Sequence, residues 1–332
     1  MTALTSLPNV KQLSERVIRV LGLNPGPFTL QGTNTYLVGK GHERILIDTG
    51  EGKEGYVALL QSALAENAPD DTPPTISRIL LTHWHRDHVG GLDDVCRAFP
   101  ALDKTASKYP DEERDGQEIV PVADDDVFHV NPGCTLRALH TPGHTRDHLA
   151  FYLEEEQALF TGDCVLGHGS TVFEDLPVYL ASLERMRSLN AQRLYPGHGP
   201  VIDGAEQVRA TLDQYVEHRM LREREVLGRM AACPLGEQTN DESAAPPVWT
   251  AAQLVGSIYQ GYPDSVLNAA ERGILLHLLK LKQDGRVRAV PDALQTASTP
   301  KMQSTEHVLS QTRLDLGDVA SVRHVGWSLL NA

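Results

Sequence analysis

Between Arg78 and Leu92 the chain reads Arg-Ile-Leu-Leu-Thr-His-Trp-His-Arg-Asp-His-Val-Gly-Gly-Leu, which places His83, His85, Asp87 and His88 within six positions. Nitrogen and carboxylate donors packed this closely suit borderline divalent ions such as zinc. In an extended or turning segment His83 and His85 project to one side, whereas Asp87 and His88 fall on the following turn and can face a second ion. Gly90 and Gly91 are expected to let the backbone pass close to the metals before a helix begins near Leu92. A merely histidine-rich surface loop is the plainer alternative. An apolar run, 79–81, that feeds directly into H-x-H-x-D-H speaks against it.

The same design recurs downstream. Residues 135–140 (TLRALH) read as a strand capped by Thr141-Pro142-Gly143-His144, where Pro142 fixes φ and Gly143 permits a tight turn. Residues 158–161 (ALFT) lead into Gly162-Asp163-Cys164, and a carboxylate there can bridge two cations because it has two oxygens. A fourth short run, Leu194-Tyr195-Pro196-Gly197, ends in His198. Seven candidate ligands thus come from four strand ends. Asp48, closing the run 44–48 (RILID), is on its own a turn former. Cys164 could be mistaken for a nucleophile, but a thiol beside a buried ligand is expected to be packed and inert.

H-x-H-x-D-H followed by Gly-Gly, with the later Pro-Gly-His and Gly-Asp sites, resembles the signature of the metallo-β-lactamase superfamily. The resemblance implies that His83, His85 and His144 hold one zinc ion, that Asp87, His88 and His198 hold a second, and that Asp163 bridges the two ions of each chain. It also implies that Asp48 buttresses the metal loop from behind. The implied fold is α/β, an αββα sandwich of two mixed sheets over residues 12–235. The implied chemistry is hydrolysis by a metal-activated hydroxide, with Asp87 orienting the nucleophile and passing its proton to the leaving group. No ligand position is missing, as would be the mark of a binding module that had lost its activity.

The elements that must position these residues follow from periodicity. Residues 17–23, 33–38 and 44–48 are apolar, partly β-branched runs separated by Asn24-Pro25-Gly26-Pro27 and by 39–43, so they read as strands. Residues 54–67 have helical spacing and precede the strand before His83, giving the helix-and-sheet alternation of a layered domain. Residues 104–118 are polar and read as an exposed excursion near the site. Residues 206–230 form a long helical pattern whose Arg219, Arg222, Arg224 and Arg229 read as a solvated face. A linker at 236–247 precedes helices at 250–259 and 269–283 and a strand from 285, which resembles a small winged-helix-like domain over 248–291. The remainder, 292–332, reads as a partly disordered tail.

The chain has 332 residues and a formal charge of −14, which offers phosphate backbones no general attraction. Its four cysteines, Cys96, Cys134, Cys164 and Cys233, are widely spaced and read as reduced thiols. No apolar run approaches the roughly 20 residues of a membrane span. A cytoplasmic protein with no membrane partner is the expectation.

Two branches of the superfamily share the stretch 24–38 (NPGPFTLQGTNTYLV) and the metal motifs. The mitochondrial endoribonuclease branch is resembled through Thr171-Val172-Phe173-Glu174-Asp175-Leu176, with RNA as partner. The thioesterase branch of fungal aromatic-polyketide pathways is resembled through Gly167-His168-Gly169-Ser170. That branch implies release of a polyketide chain from the acyl carrier protein of a polyketide synthase in secondary metabolism. The acidic balance and an already activated thioester favour the second. The arginines of 219–229 are then the clustered candidates for carrier docking, and hydrolysis of another small ester or lactone is the remaining alternative.

Overall fold

In the computed structural model the described residues are 4–100, 102, 106–111, 119–130, 133–232, 247–262, 264–290 and 325–330. They fall into two compact units, Met1–Thr171 with Ala181–Asp213, and Val172–Leu180 with Gln214–Ala332.

The first unit begins with β1 (Val10–Gln12), β2 (Val17–Leu21), β3 (Asn34–Val38) and β4 (Glu43–Ile47), followed by α1 (Tyr56–Glu66) and β5 (Thr75–Leu80). Next come α2 (Arg86–Val89), α3 (Leu92–Ala98), β6 (Ala106–Lys108) and β7 (Ile119–Pro121). The chain continues through β8 (Val127–Val130), β9 (Cys134–His140), β10 (Leu149–Leu153) and β11 (Ala158–Gly162). Then follow α4 (Leu176–Ser188), β12 (Arg193–Pro196), β13 (Ile202–Asp203) and α5 (Ala205–Ala231). Helices α4 and α5 contribute residues to both units.

Seven strands form one sheet in the order β1 to β7, and six form another in the order β13-β12-β11-β10-β9-β8. Both are mixed. Strands β4 to β7 pair in parallel within the first sheet, and β11 pairs in parallel with β12 within the second. Side chains that alternate along one strand enter different layers. Tyr36 and Val38 of β3, and Ile45 and Ile47 of β4, meet Phe151 and Phe160 of the other sheet. Leu37 and Leu46 instead pack with Leu60 and Leu64 of α1 and with Val95 of α3. Covered on both faces, these strands bury nearly every residue, which is why they read in sequence as mostly apolar runs and not as strict alternation. The expected sandwich of two mixed sheets is present.

The expected exposed excursion at 104–118 is corrected in part. Residues 112–118 lie outside the described residues, but Ala106–Lys108 is the buried strand β6. Its polarity is tolerated because Lys108 Nζ donates to Asp147 Oδ2 at 2.8 Å and to the Tyr109 carbonyl at 3.0 Å. A buried ion pair so satisfied leaves no apolar trace in sequence.

The second unit contains β14 (Trp249–Thr250), α6 (Ala251–Ile258), α7 (Asp264–Gln283), β15 (Val287–Val290) and β16 (Gly326–Leu329). The three strands form a sheet ordered β14-β16-β15. Thr250 and Gln253 cap α6 reciprocally, the Thr250 hydroxyl accepting from Gln253 N and the Gln253 side chain from Thr250 N. The structure divides the chain differently from the boundaries expected at 235 and 248, since α5 from Gln214 onward belongs with these elements. Residues 326–329, within the expected tail, supply the central strand of this sheet and the fully buried Trp327.

The arginine-bearing face of α5 is also corrected. Arg219 is buried, its guanidinium 4.7 Å from the Phe173 ring centroid and 5.7 Å from that of Tyr179. Arg222 lies 4.3 Å over Tyr259 and pairs with Glu225 at 2.8 Å. Arg224 and Arg229 remain exposed. Among the described residues no helix is long and apolar enough to cross a membrane.

Candidate metal centre

Sheet topology explains why distant strand ends meet. Parallel pairing puts the C-terminal ends of β4 and β5 side by side, so Asp48 faces the loop that carries His83 to His88. The parallel pair β11 and β12 does the same for Asp163 and His198. Because β10 runs antiparallel to both β9 and β11, the turn bearing His144 reaches that same end. Backbone bonds then join the sheets there: Leu149 N donates to the Thr82 carbonyl at 2.7 Å, and Asn34 N to that of Gly197 at 2.7 Å. The Tyr36 hydroxyl adds a bond to the Pro196 carbonyl at 2.6 Å.

All seven candidates come together in two groups, His83, His85, His144 and Asp163, and Asp87, His88 and His198. Within the first, His83 Nε2 lies 2.9 Å from His85 Nδ1, and His144 Nε2 lies 3.3 and 3.1 Å from those two atoms. Within the second, Asp87 Oδ2 is 3.1 Å from both His88 Nε2 and His198 Nε2. Asp163 stands between them: Oδ1 is 3.4 Å from His88 Nε2, while Oδ2 is 3.3 Å from His198 Nε2 and 3.7 Å from His144 Nε2.

The donor set fits metal ions. Three nitrogens around a tetrahedral zinc, each at 2.0–2.1 Å, lie about 3.3 Å apart, close to the 2.9–3.3 Å spacing of the three imidazoles. His88 Nε2 and Asp163 Oδ1 are buried and make no hydrogen bond, a costly arrangement that a cation between them relieves. Burial and the surrounding imidazoles push His83 well below its usual range, and burial with His144 pushes His85 down to about 3, so both present lone pairs. Burial opposes charge on His198 too, yet Asp163 and Asp87 outweigh it and bring that imidazole to about 9. Asp163, against its own burial, is held well below the carboxylate range by His198 and His88. The carboxylates of this group thus favour positive charge where a second cation would sit.

Behind the ligand atoms, the second nitrogen of four of the five rings is engaged. His88 Nδ1 is 2.7 Å from Asp48 Oδ2. His83 Nδ1 is 2.9 Å from Thr82 Oγ1, and that hydroxyl donates to Asp48 at 2.9 Å. His144 Nδ1 is 3.2 Å from Thr171 Oγ1, and His198 Nδ1 is 3.4 Å from the Gly32 carbonyl. Thr33 Oγ1 donates to Asp87 Oδ2 at 3.1 Å. Such contacts fix ring orientation and tautomer. Thr82, Thr171 and Thr33 were not singled out by sequence; only the adjacency of Thr82 to His83 offered a signal. Cys164 is buried, and burial together with Asp163 pushes its thiol far up, away from the thiolate form.

Close packing accounts for Gly91 and Gly197. A Cβ at Gly91 would fall 2.1 Å from the Thr49 carbonyl oxygen, so this glycine admits the 49–50 backbone and not the metals, a correction to the expectation above. A Cβ at Gly197 would lie 2.4 Å from Asp163 Oδ1 and 3.0 Å from His88 Cε1. Gly197→Ala is therefore expected to lower metal affinity about 10- to 100-fold, read by chelator competition, while the fold measured by circular dichroism persists.

Residues 28–198 match the family model described as the Metallo-beta-lactamase superfamily, and 250–295 that of the Beta-lactamase associated winged helix domain. The chain is similar to the Beta-lactamase-like protein 2 homolog of Caenorhabditis elegans, 44% identical across 86% of this chain and 91% of that protein. It is also similar to the Atrochrysone carboxyl ACP thioesterase of Aspergillus terreus, 43% identical across 86% and 85%. Among solved structures, a Beta-lactamase domain protein from Burkholderia ambifaria shares the fold with a TM-score of 0.63 at 19% identity, covering 86% of this chain and 92% of that one. With its donor set, its paired mixed sheets and these relatives, the chain belongs to the metallo-β-lactamase superfamily.

Proposed function

We propose that the chain is a binuclear zinc thioesterase that releases an acyl chain, of the polyketide class, from an acyl carrier protein. The superfamily fold and the relatives named as thioesterases support a hydrolase at the coarser level. What carries the finer reading is the intact set of seven donors in a chain with such relatives.

In this reading His83, His85 and His144 would hold one ion and Asp87, His88 and His198 the other, with Asp163 shared between the two groups. Zinc, when bound, acidifies a coordinated water and polarises a carbonyl. His85 and Asp87 are only partly buried, so they form the edge that substrate reaches. Asp87 uses Oδ2 toward Thr33, His88 and His198, and its carboxylate is the group placed to orient the nucleophile and hold its proton. A thioester needs no strong acid for its leaving thiolate.

Phosphodiester chemistry on RNA is less well supported, because affinity there comes from phosphate contacts. The formal charge is −14, and two of the four clustered arginines are engaged with aromatic rings. Arg224 and Arg229 remain for carrier docking.

The test is a side-by-side assay of zinc-loaded protein and of Asp87→Ala on an acyl carrier protein thioester and on single-stranded RNA. Acyl release is expected with RNA left intact, and a fall of about 10²- to 10⁴-fold in the variant. RNA cleavage with the thioester untouched overturns the proposal.

A further inference from the structure

A further imidazole lies in the centre without belonging to either ligand group. His148 is fully buried, its ring 5.4 Å from that of His83 and 6.0 Å from that of His144. Its Nε2 accepts from the backbone N–H of Asp163 at 3.2 Å, so that nitrogen carries no proton. The remaining ring proton sits on Nδ1, 2.9 Å from Thr141 Oγ1. The backbone of His148 is tied at the same point, its carbonyl accepting from Thr141 N at 2.9 Å. The contact with β11 is tight: a Cβ on Gly162 would come 2.6 Å from His148 Nε2.

We propose that His148 is a positioning residue that fixes the peptide of Asp163 and thereby aims its carboxylate between the two groups of imidazoles. The inference rests on the metal-dependent reading above. Asp163 Oδ1 and Oδ2 must face His88, His198 and His144 at 3.3–3.7 Å, and the direction of its side chain follows from its peptide plane. A buried peptide N–H needs an acceptor. A neutral imidazole supplies one without setting a second negative charge against the Asp163 carboxylate, as an aspartate or glutamate would. The ring also spans from the β9 turn to β11, so it sets the height of Asp163 relative to His144.

Two substitutions separate this role from packing. His148→Asn retains a polar partner for Thr141 but is too short to reach Asp163 N, whereas His148→Gln places an amide oxygen near the position of Nε2. The readouts are zinc affinity by chelator competition, the visible absorption of the cobalt-loaded protein, and the melting midpoint of the metal-free protein. His148→Asn is expected to lose about 10- to 100-fold in affinity and to show an altered cobalt spectrum, with His148→Gln returning to the wild-type values. Wild-type affinity and spectrum in His148→Asn overturn the proposal, as does an equal loss in both variants accompanied by an equal fall in metal-free melting. Should His148→Asn not fold, His148→Gln decides alone: metal binding at the wild-type level supports the role, and weakened binding overturns it. A wild-type protein that takes up no zinc or cobalt is a different outcome, the failure of the metal-dependent reading itself.

Discussion

Asp163→Ala is expected to abolish turnover, lowering kcat/KM by at least about 10³-fold, equivalent to about 4 kcal/mol of transition-state stabilisation. The carboxylate stands within 3.3–3.7 Å of an imidazole nitrogen of His88, His198 and His144, so both groups lose a donor at once. Its charge also balances the cations gathered there. Without it the second group keeps Asp87 as its single carboxylate at the ligand positions. Metal analysis after gel filtration checks the cause: fewer ions per chain should accompany the lost activity, while circular dichroism shows the sheets intact. Full metal content with lost activity would assign Asp163 a role in the reaction alone.

Asp48→Ala should have the largest effect on stability, a loss of about 3–5 kcal/mol, because removing one partner of a buried charged network strands the others. Asp48 is 1% exposed and accepts from Thr82 N at 2.8 Å, from the Thr82 hydroxyl at 2.9 Å and, through Oδ2, faces His88 Nδ1 at 2.7 Å. Its backbone adds a second constraint, since φ is +60°, a region where alanine is strained and asparagine is tolerated. Asp48→Asn keeps an acceptor and the backbone, and should lose about half as much or less. Urea denaturation of the metal-free proteins measures both. Equal losses in the two variants would show that the backbone bonds of the 48–49 turn, and not the carboxylate, hold the loop.

Legibility in sequence followed burial on two faces. Strands β2, β4, β10 and β11 were readable because each is buried almost throughout and is mostly apolar. Strands β6, β7 and β8 were not, since each spans only three or four residues, and β6 buries a lysine that is neutralised by Asp147, a residue 39 positions away. Arg219 misled for a related reason. Its helical spacing suits a solvated face, and the rings of Phe173 and Tyr179 that cover it come from another segment. Strand β16 was hidden by the long polar stretch before it and acquires its partners, β14 and β15, only through the sheet.

By itself the sequence marked which side chains can bind metal and that each follows a strand, whereas Asp48 joined them only through the resemblance to the superfamily. Ligand type and spacing are local properties, and a strand that ends in Pro-Gly-His carries its meaning within a few residues. Tertiary structure decided what holds those ligands. The hydroxyls of Thr82, Thr171 and Thr33, the Gly32 carbonyl and the ring of His148 reach the centre through contacts between residues that are in most cases far apart in the chain. Threonine and glycine are common, and apart from Thr82, which adjoins His83, nothing in their neighbours marks them as partners of a metal ligand. Only parallel pairing of β4 with β5 and of β11 with β12, closed by bonds between the two sheets, brings them within hydrogen-bond distance of the ligands they orient.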